Sequence, residues 1–386
     1  MANTGVMSFV AEFCYPTVRD RMMLLLAAVG AMTQIIAPAM AWAILIHNWE
    51  WSLFDGAFVL KTWNFYLLAM SLWSLVTCAM YTSLPETPKF LITQKKYLEA
   101  RNVLISVYKE NTGKGAETFP YLNLWDQEIK DETKSEATQK PNLQKFKTQL
   151  VGGLRNMKPL LHRPYITYLM ILGGMQFIIV LIYDVLRLWF PQLSTIVEHY
   201  NFDGNRYLCA VLDEYTAAEK LRIGTLTTTN VTVECVPQIS GTETYVNSLI
   251  VGIVCLVPYF ISGVLINKVG KKCLLILAGV ISVGNLFGIR YSSTKTMMVA
   301  FFSIDIAITQ TMKGLIQVIL VEVFPTTTRS LAMALVIVIS RGGTLVGNIG
   351  FPILLDLGCE IPFYAMIVMM ICQLVMAIFT PKKKET

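Results

Sequence analysis

Glu12 and Arg19 stand seven residues apart with Pro16 between them, and the same arrangement returns far downstream as Glu322, Pro325 and Arg329. A carboxylate and a guanidinium at a helix end can form a charge-assisted hydrogen-bonded pair that breaks when helices move. The same residues also suit plain capping, with Pro and an acidic group at the helix end and Arg at the membrane surface. Spacing alone leaves both readings open.

A second set of charges lies inside apolar runs, where an ionisable side chain is costly and marks a cavity by default. Run 297–320 carries Asp305, Thr309, Lys313 and Gln317 at steps of four, a stripe expected to line one wall. Lys313 can also pair with Asp305. Run 165–190 carries Gln176, Tyr183, Asp184 and Arg187; Tyr183 and Arg187 share a face, and Asp184 with Arg187 can pair within the helix. Run 330–355 carries Arg341, Thr344 and Asn348 among Gly342, Gly343, Gly347 and Gly350. Those glycines suit close helix packing, and Arg341 can snorkel to the surface as readily as face a solute. Gln34 and Pro38 in the first run predict a kink and a polar wall.

These side chains need elements to hold them. A hydrocarbon core takes about 20 apolar residues per helix, and eight runs qualify: 22–46, 63–82, 165–190, 245–266, 273–290, 297–320, 330–355 and 361–380. In lipid the backbone must satisfy itself, so each reads as a helix. Segment 83–164 carries fourteen Lys or Arg, whereas 191–244 has three basic residues against seven acidic ones. Lys268, Lys271, Lys272 and the tail at Lys382–Lys384 are basic too. Alternating the loops puts every strongly basic link, and both chain ends, on one side, taken as cytoplasmic. Asn230-Val-Thr232 is a glycosylation sequon in the opposite loop. Cys209 and Cys235 share that loop, and in an oxidising compartment they are expected to pair. The terminal Lys383-Lys384-Glu385-Thr386 suits either a dilysine retrieval signal or simple anchoring.

Composition agrees with a membrane protein. Hydrophobic residues make up 54% and charged residues 15%, against about 25% charged in soluble domains. The net charge of +6 sits between apolar runs and does not signal a nucleic-acid partner. Three histidines (His47, His162 and His199) and eight cysteines without a CxxC give no metal site and no nucleophile pair. No catalytic constellation or phosphate loop is present, so no enzyme and no cofactor is expected. Residues 94–109 read as an amphipathic helix with Leu98, Val103, Leu104 and Val107 on one side, and 110–145 as a solvated linker.

Pro85-Glu86-Thr87-Pro88-Lys89-Phe90-Leu91 resembles the PESPRFL signature after the sixth span of sugar-porter-type members of the major facilitator superfamily. The segment from Gly263 through Asn267 and Gly270 to Lys272 resembles that superfamily's GxxxDRxGRR loop, with Asn267 in the place of the aspartate, which puts that residue's charge contact in doubt. The two Glu/Pro/Arg segments resemble its links after spans four and ten. Leu186–Leu193 and Lys95–Ala100 are similar to the synaptic vesicle glycoprotein 2-like branch, beside the organic cation and anion transporters.

The resemblance implies an all-α membrane fold, in part: eight of twelve spans, with the first four absent. Residues 1–82 would be spans five and six, 83–164 a cytoplasmic connector, and 165–386 a complete six-helix bundle with the loop 191–244 outside. It implies a secondary carrier of a small organic solute, an organic ion or sugar-like, in a plasma or vesicle membrane, with proton or ion coupling left open. Tyr183, Arg187, Asp305, Lys313, Arg341 and Asn348 would line the cavity. Glu12 with Arg19, Glu86 with Lys89, Lys268 with Lys271, and Glu322 with Arg329 would form the gate. The alternatives are a trafficking glycoprotein of the vesicle membrane, or an inactive truncated isoform.

Overall fold

The computed structural model describes residues 6, 9, 10, 12–53, 58–121, 123–129, 160, 162–199, 206–229 and 241–380. Asn230, Cys235 and the basic tail fall outside them, as does the side chain of Asn267. All eight expected spans are helices: Val18–Leu45, Thr62–Thr82, Tyr165–His199, Thr242–Ile266, Lys271–Arg290, Lys295–Val323, Leu331–Leu357 and Glu360–Ile378. The molecule is a multi-pass membrane protein.

Two spans are broken helices. The first consists of α1 (Pro16–Ala31) and α2 (Thr33–Leu45), parted at Met32. The fourth consists of α8 (Thr242–Val254) and α9 (Leu256–Val269), parted at Cys255. Pro258 just past that break has no N–H to give the preceding turn, which accounts for it. The remaining spans are α3 (Thr62–Thr82), α6 (Tyr165–His199), α10 (Lys271–Arg290), α11 (Lys295–Val323), α12 (Thr326–Leu357) and α13 (Glu360–Ile378). Between α2 and α3 lies a two-stranded antiparallel hairpin, β1 (Glu50–Leu53) with β2 (Phe58–Lys61), in which Trp51 faces Leu60. Hydropathy, tuned to 20-residue spans, gave no sign of it.

The chain divides into two compact units, Met1–Arg19 with Leu68–Asn156, and Asp20–Leu67 with Met157–Thr386. In the first, α4 (Pro88–Thr93) is capped by Thr87, whose hydroxyl accepts from the Phe90 N–H at 3.3 Å. It packs through buried Leu91, and α5 (Tyr97–Thr112) through buried Ala100. The amphipathic helix is therefore real: Val103, Leu104 and Val107 are half-buried on the side of Ala100, and of the expected face only Leu98 is exposed. Arg101 of α5 pairs with Asp126 at 2.7 Å.

In the second unit, α6 and α11 form the centre. Their apolar windows are 67% and 78% buried, against 39% or less in the other six spans. Leu172, Met175, Ile179, Ile182 and Leu186 recur along α6 at helical spacing and are almost wholly enclosed. Packing rather than expulsion of water holds such helices together in lipid. Gly343 of α12 shows this: a Cβ there would lie 2.5 Å from the Phe177 carbonyl oxygen of α6.

A loop helix, α7 (Leu208–Thr229), is tied to the α12–α13 turn. The Cys359 N–H donates to Asp213 Oδ1 at 2.8 Å, and Lys220 donates to the Asp356 carbonyl at 2.6 Å. Cys209 is disulfide-bonded to Cys359, with their Cα atoms 5.2 Å apart, and not to Cys235. The expected pairing assumed that loop neighbours meet. Instead α7 turns back over the helix ends, and its first turn lies beside the α12–α13 corner.

Candidate functional site

The site begins at Gln34 on α2. Pro38 lies four residues on and cannot donate to the Gln34 carbonyl. Gly252 of α8 fills that place: a Cβ on it would come within 2.6 Å of the Gln34 oxygen. A side chain larger than hydrogen is excluded there, and the two helices approach backbone to backbone.

The Gln34 side chain is buried and must find partners. Its Nε2 donates to the Tyr183 hydroxyl oxygen at 2.6 Å and to Gln310 Oε1 at 2.5 Å. The Tyr183 hydroxyl also accepts from Arg187 Nη1 at 3.1 Å. Tyr259 of α9 donates to the Gln310 carbonyl at 2.9 Å. One polar knot thus ties α2, α6, α9 and α11 together midway along the spans. The Lys313 ammonium lies 4.1 Å from the centre of the Tyr183 ring, and the Arg187 guanidinium carbon 5.9 Å from it. Asp184, Arg187 and Arg341 are the charged groups near enough to act on Lys313. Asp184 itself is engaged by the Thr344 hydroxyl of α12.

A cavity of about 390 Å³, within the range of small-molecule sites, meets this knot at Gln34 and Arg187. Gln34, Arg187, Phe190, Tyr245, Ser248 and Ile306 are among its walls. It occupies the half of the spans toward Thr244, away from Lys271. A larger groove of about 1090 Å³ opens at the other end, lined by Tyr165, Tyr168, Lys271, Lys272 and Glu322. None of the knot residues lines that groove, so the smaller cavity is the candidate site.

Tyr183, Arg187 and Lys313 come together, but of the six residues expected to line the cavity only Arg187 is on its wall. Asp184 and Arg187 do not pair; each turns to another partner. Asp305 does not line the wall. It is fully buried against α10, where Ser282 donates to its Oδ1 at 2.7 Å, and its Oδ2 has no hydrogen-bond partner among the described residues. The reason is helical drift: eight residues carry Asp305 and Lys313 about 80° apart around α11. Of α11, Ile306 lines the cavity, and Gln310 and Lys313 follow it on the same helical face at steps of four and three, below the cavity wall. Asn348 is half-buried, with Oδ1 unpartnered among the described residues, and Arg341 is exposed on the same side of α12.

At the Lys271 end, the expected gate is rearranged. Lys271 Nζ pairs with Asp20 Oδ2 of α1 at 2.6 Å and with Glu322 Oε2 of α11 at 2.8 Å. Lys268 is exposed and has no ion pair among the described residues. No ion pair among the described residues joins Glu12 to Arg19 or Glu86 to Lys89. Arg329 lies in the first turn of α12, its N–H bonded to the Pro325 carbonyl.

Sequence reasoning missed Gln310, Tyr259 and Asp20. Gln310 was findable as a rare amide in a span, three residues before Lys313 and so on its face. Asp20 stands next to Arg19, outside the seven-residue pattern that drew attention. Nothing in the sequence marks Tyr259 among the other aromatic residues.

The fold and the polar cavity define a helical membrane protein of the major facilitator type. The chain belongs to the sugar (and other) transporter family, whose model matches residues 1–183 and 226–385. The family expected from the motifs is the one found. The structure of the major facilitator superfamily proton:xylose symporter XylE, bound to 6-bromo-6-deoxy-D-glucose, is similar, with a TM-score of 0.58 and 15% identity. That likeness covers 99% of this chain and 68% of the symporter, and speaks for the fold alone. Synaptic vesicle glycoprotein 2A of Rattus norvegicus, Bos taurus and Homo sapiens is 31% identical over 107 residues, 28% of this chain and 14% of the relative's length.

Proposed function

We propose that the protein carries a small organic solute across the bilayer by alternating access, and that Gln34, Tyr183, Arg187, Gln310 and Lys313 form its binding site. The observation that carries this is the polar knot under the cavity. Four spans place buried amide and hydroxyl groups, and a cation, at one point midway along their length, where lipid offers no partner. Membership of the transporter family supports the same reading.

Lys271 supplies the second part. Its two ion pairs join α1 to α10 and α11 at the end opposite the cavity. This is the arrangement of a carrier open on one side and latched on the other. With the basic links inside the cell, the latch is cytoplasmic and 83–164 is a cytoplasmic connector between spans. Lys271, Asp20 and Glu322 are partly exposed, so each pair contributes about 1 kcal/mol or less. A latch of that strength can open in every cycle.

The test is a Ser248→Cys variant in which the free cysteines Cys14, Cys78, Cys255, Cys273 and Cys372, and Cys235 with them, are replaced. An impermeant maleimide should label position 248 from the side of Thr244. Adding Lys271→Met should slow that labelling, because the unlatched protein spends more time with the cavity closed. Labelling that Lys271→Met leaves unchanged contradicts the latch, and absence of solute uptake by reconstituted protein contradicts the carrier.

A further inference from the structure

We propose that the solute is an organic anion that also carries a hydrogen-bond donor, its acidic group seated between Arg187 and Lys313. The proposal rests on the carrier reading above and adds the charge of the substrate.

Two cations meet at the knot, Arg187 and Lys313, both against the Tyr183 ring, and the exposed Arg341 of α12 is close enough to act on Lys313. The one acid among Lys313's electrostatic neighbours is Asp184, and Thr344 already binds it. Among the described residues no carboxylate stands within 4 Å of any of the three cations. Around Lys313 the cations thus outnumber the acid, and Lys313 itself, the most enclosed of the three, has no carboxylate against it. A ring face offers Lys313 only weak compensation, and an unpaired charge away from water is expensive. An anion entering the cavity would offset that cost. A cation would add to it, and a neutral sugar would leave it standing.

The hydrogen-bonding groups agree. The Tyr183 oxygen accepts from both Gln34 and Arg187, and its own hydrogen has no acceptor among the described residues. It is a donor to spare beside two cations. Gln34 is buried on the cavity wall, and its Oε1 has no partner among the described residues. A solute hydroxyl or amide N–H would satisfy it. Size agrees as well, since 390 Å³ suits one compact molecule.

The experiment is thermal unfolding of the purified full chain in detergent, titrated with 4-hydroxybenzoate, benzoate, benzamide, benzyltrimethylammonium and xylose. The expected result is a saturable rise in Tm with the two carboxylates, larger for 4-hydroxybenzoate, and none with benzamide or the cation. Lys313→Met and Arg187→Gln, each judged against its own ligand-free Tm, should weaken the apparent affinity at least tenfold. Lys313→Arg should restore part of it. An equal shift from benzamide, a shift from the cation, no shift with either carboxylate, or a Lys313→Met response like the unaltered chain's overturns the proposal. Failure of the two readings separates cleanly. Xylose uptake into liposomes that Lys313→Met does not impair keeps the carrier and removes the anion. Carboxylate binding with no solute crossing the liposome keeps the anion and removes the carrier.

Discussion

The Lys313 ammonium sits 4.1 Å from the centre of the Tyr183 ring, and the hydroxyl on that ring is held by Gln34 and Arg187. One aromatic side chain therefore does two jobs. Its face steadies a cation from α11, and its oxygen joins α2 to α6. A cation–π contact contributes about 0.5–2 kcal/mol, less than a buried carboxylate would, so Lys313 is positioned without being neutralised.

Separating the two jobs gives a first prediction. Tyr183→Phe keeps the ring and removes the acceptor, leaving Gln34 and Arg187 each short of a bond, at a cost of about 1–3 kcal/mol. Tyr183→Leu also removes the ring face and should cost a further ~1 kcal/mol. Tm measured at one scan rate should fall in the order unaltered, Phe, Leu. A Phe variant as stable as the parent would mean that the knot contributes nothing.

The approach of α8 to α2 gives a second. Gly252→Ala places a methyl 2.6 Å from the Gln34 carbonyl, and backbone cannot yield as a side-chain tip can. Alanine's better helix propensity is worth about 1 kcal/mol, and overpacking costs about 1–3 kcal/mol, so the variant should be destabilised and lose uptake. Gly263→Ala, with nothing within 4 Å, should show only the propensity gain. Equal Tm changes in the two variants would refute the contact.

Much of this architecture is visible in the residues themselves, for reasons the same positions make clear. Twenty apolar residues in a row have one solution in lipid, so all eight spans follow from hydropathy. The Gln34 and Pro38 pair marked a polar wall correctly, because an amide in a span must be satisfied. Asp305 misled because four-residue steps resemble a face over one turn and leave it over two. Cys209 misled because which cysteines meet depends on how α7 folds back, and loop sequence does not encode that. The latch was half legible: charges at helix ends are plain to see, but the choice of Asp20 for Lys271 belongs to tertiary packing.

The disulfide yields a third prediction. Non-reducing peptide mapping should recover Cys209 linked to Cys359. A chain-entropy estimate for a loop of 150 residues gives about 5 kcal/mol. Inserted spans keep the unfolded chain ordered, so that figure is an upper bound, and Cys209→Ser with Cys359→Ser should lower Tm by several degrees. Recovery of Cys209 linked to Cys235, or of both Cys209 and Cys359 as free thiols, would refute the tether of α7.

A fourth concerns Asp305. Ser282→Ala strips the buried carboxylate of its donor and should cost about 1–3 kcal/mol. Asp305→Asn keeps the shape and an acceptor for Ser282 while removing the ionisable group, so stability should hold or rise. Since Asp305 lies away from the cavity, its Asn variant should transport with an unchanged KM. A raised KM would return Asp305 to the solute path.

Counterflow of labelled 4-hydroxybenzoate in liposomes loaded with the unlabelled compound tests the site most directly. The parent chain and Asp305→Asn should both accumulate label transiently, and Lys313→Met should not, although it inserts and folds. Counterflow in Lys313→Met equal to the parent's would contradict a transport site built around Tyr183 and Lys313.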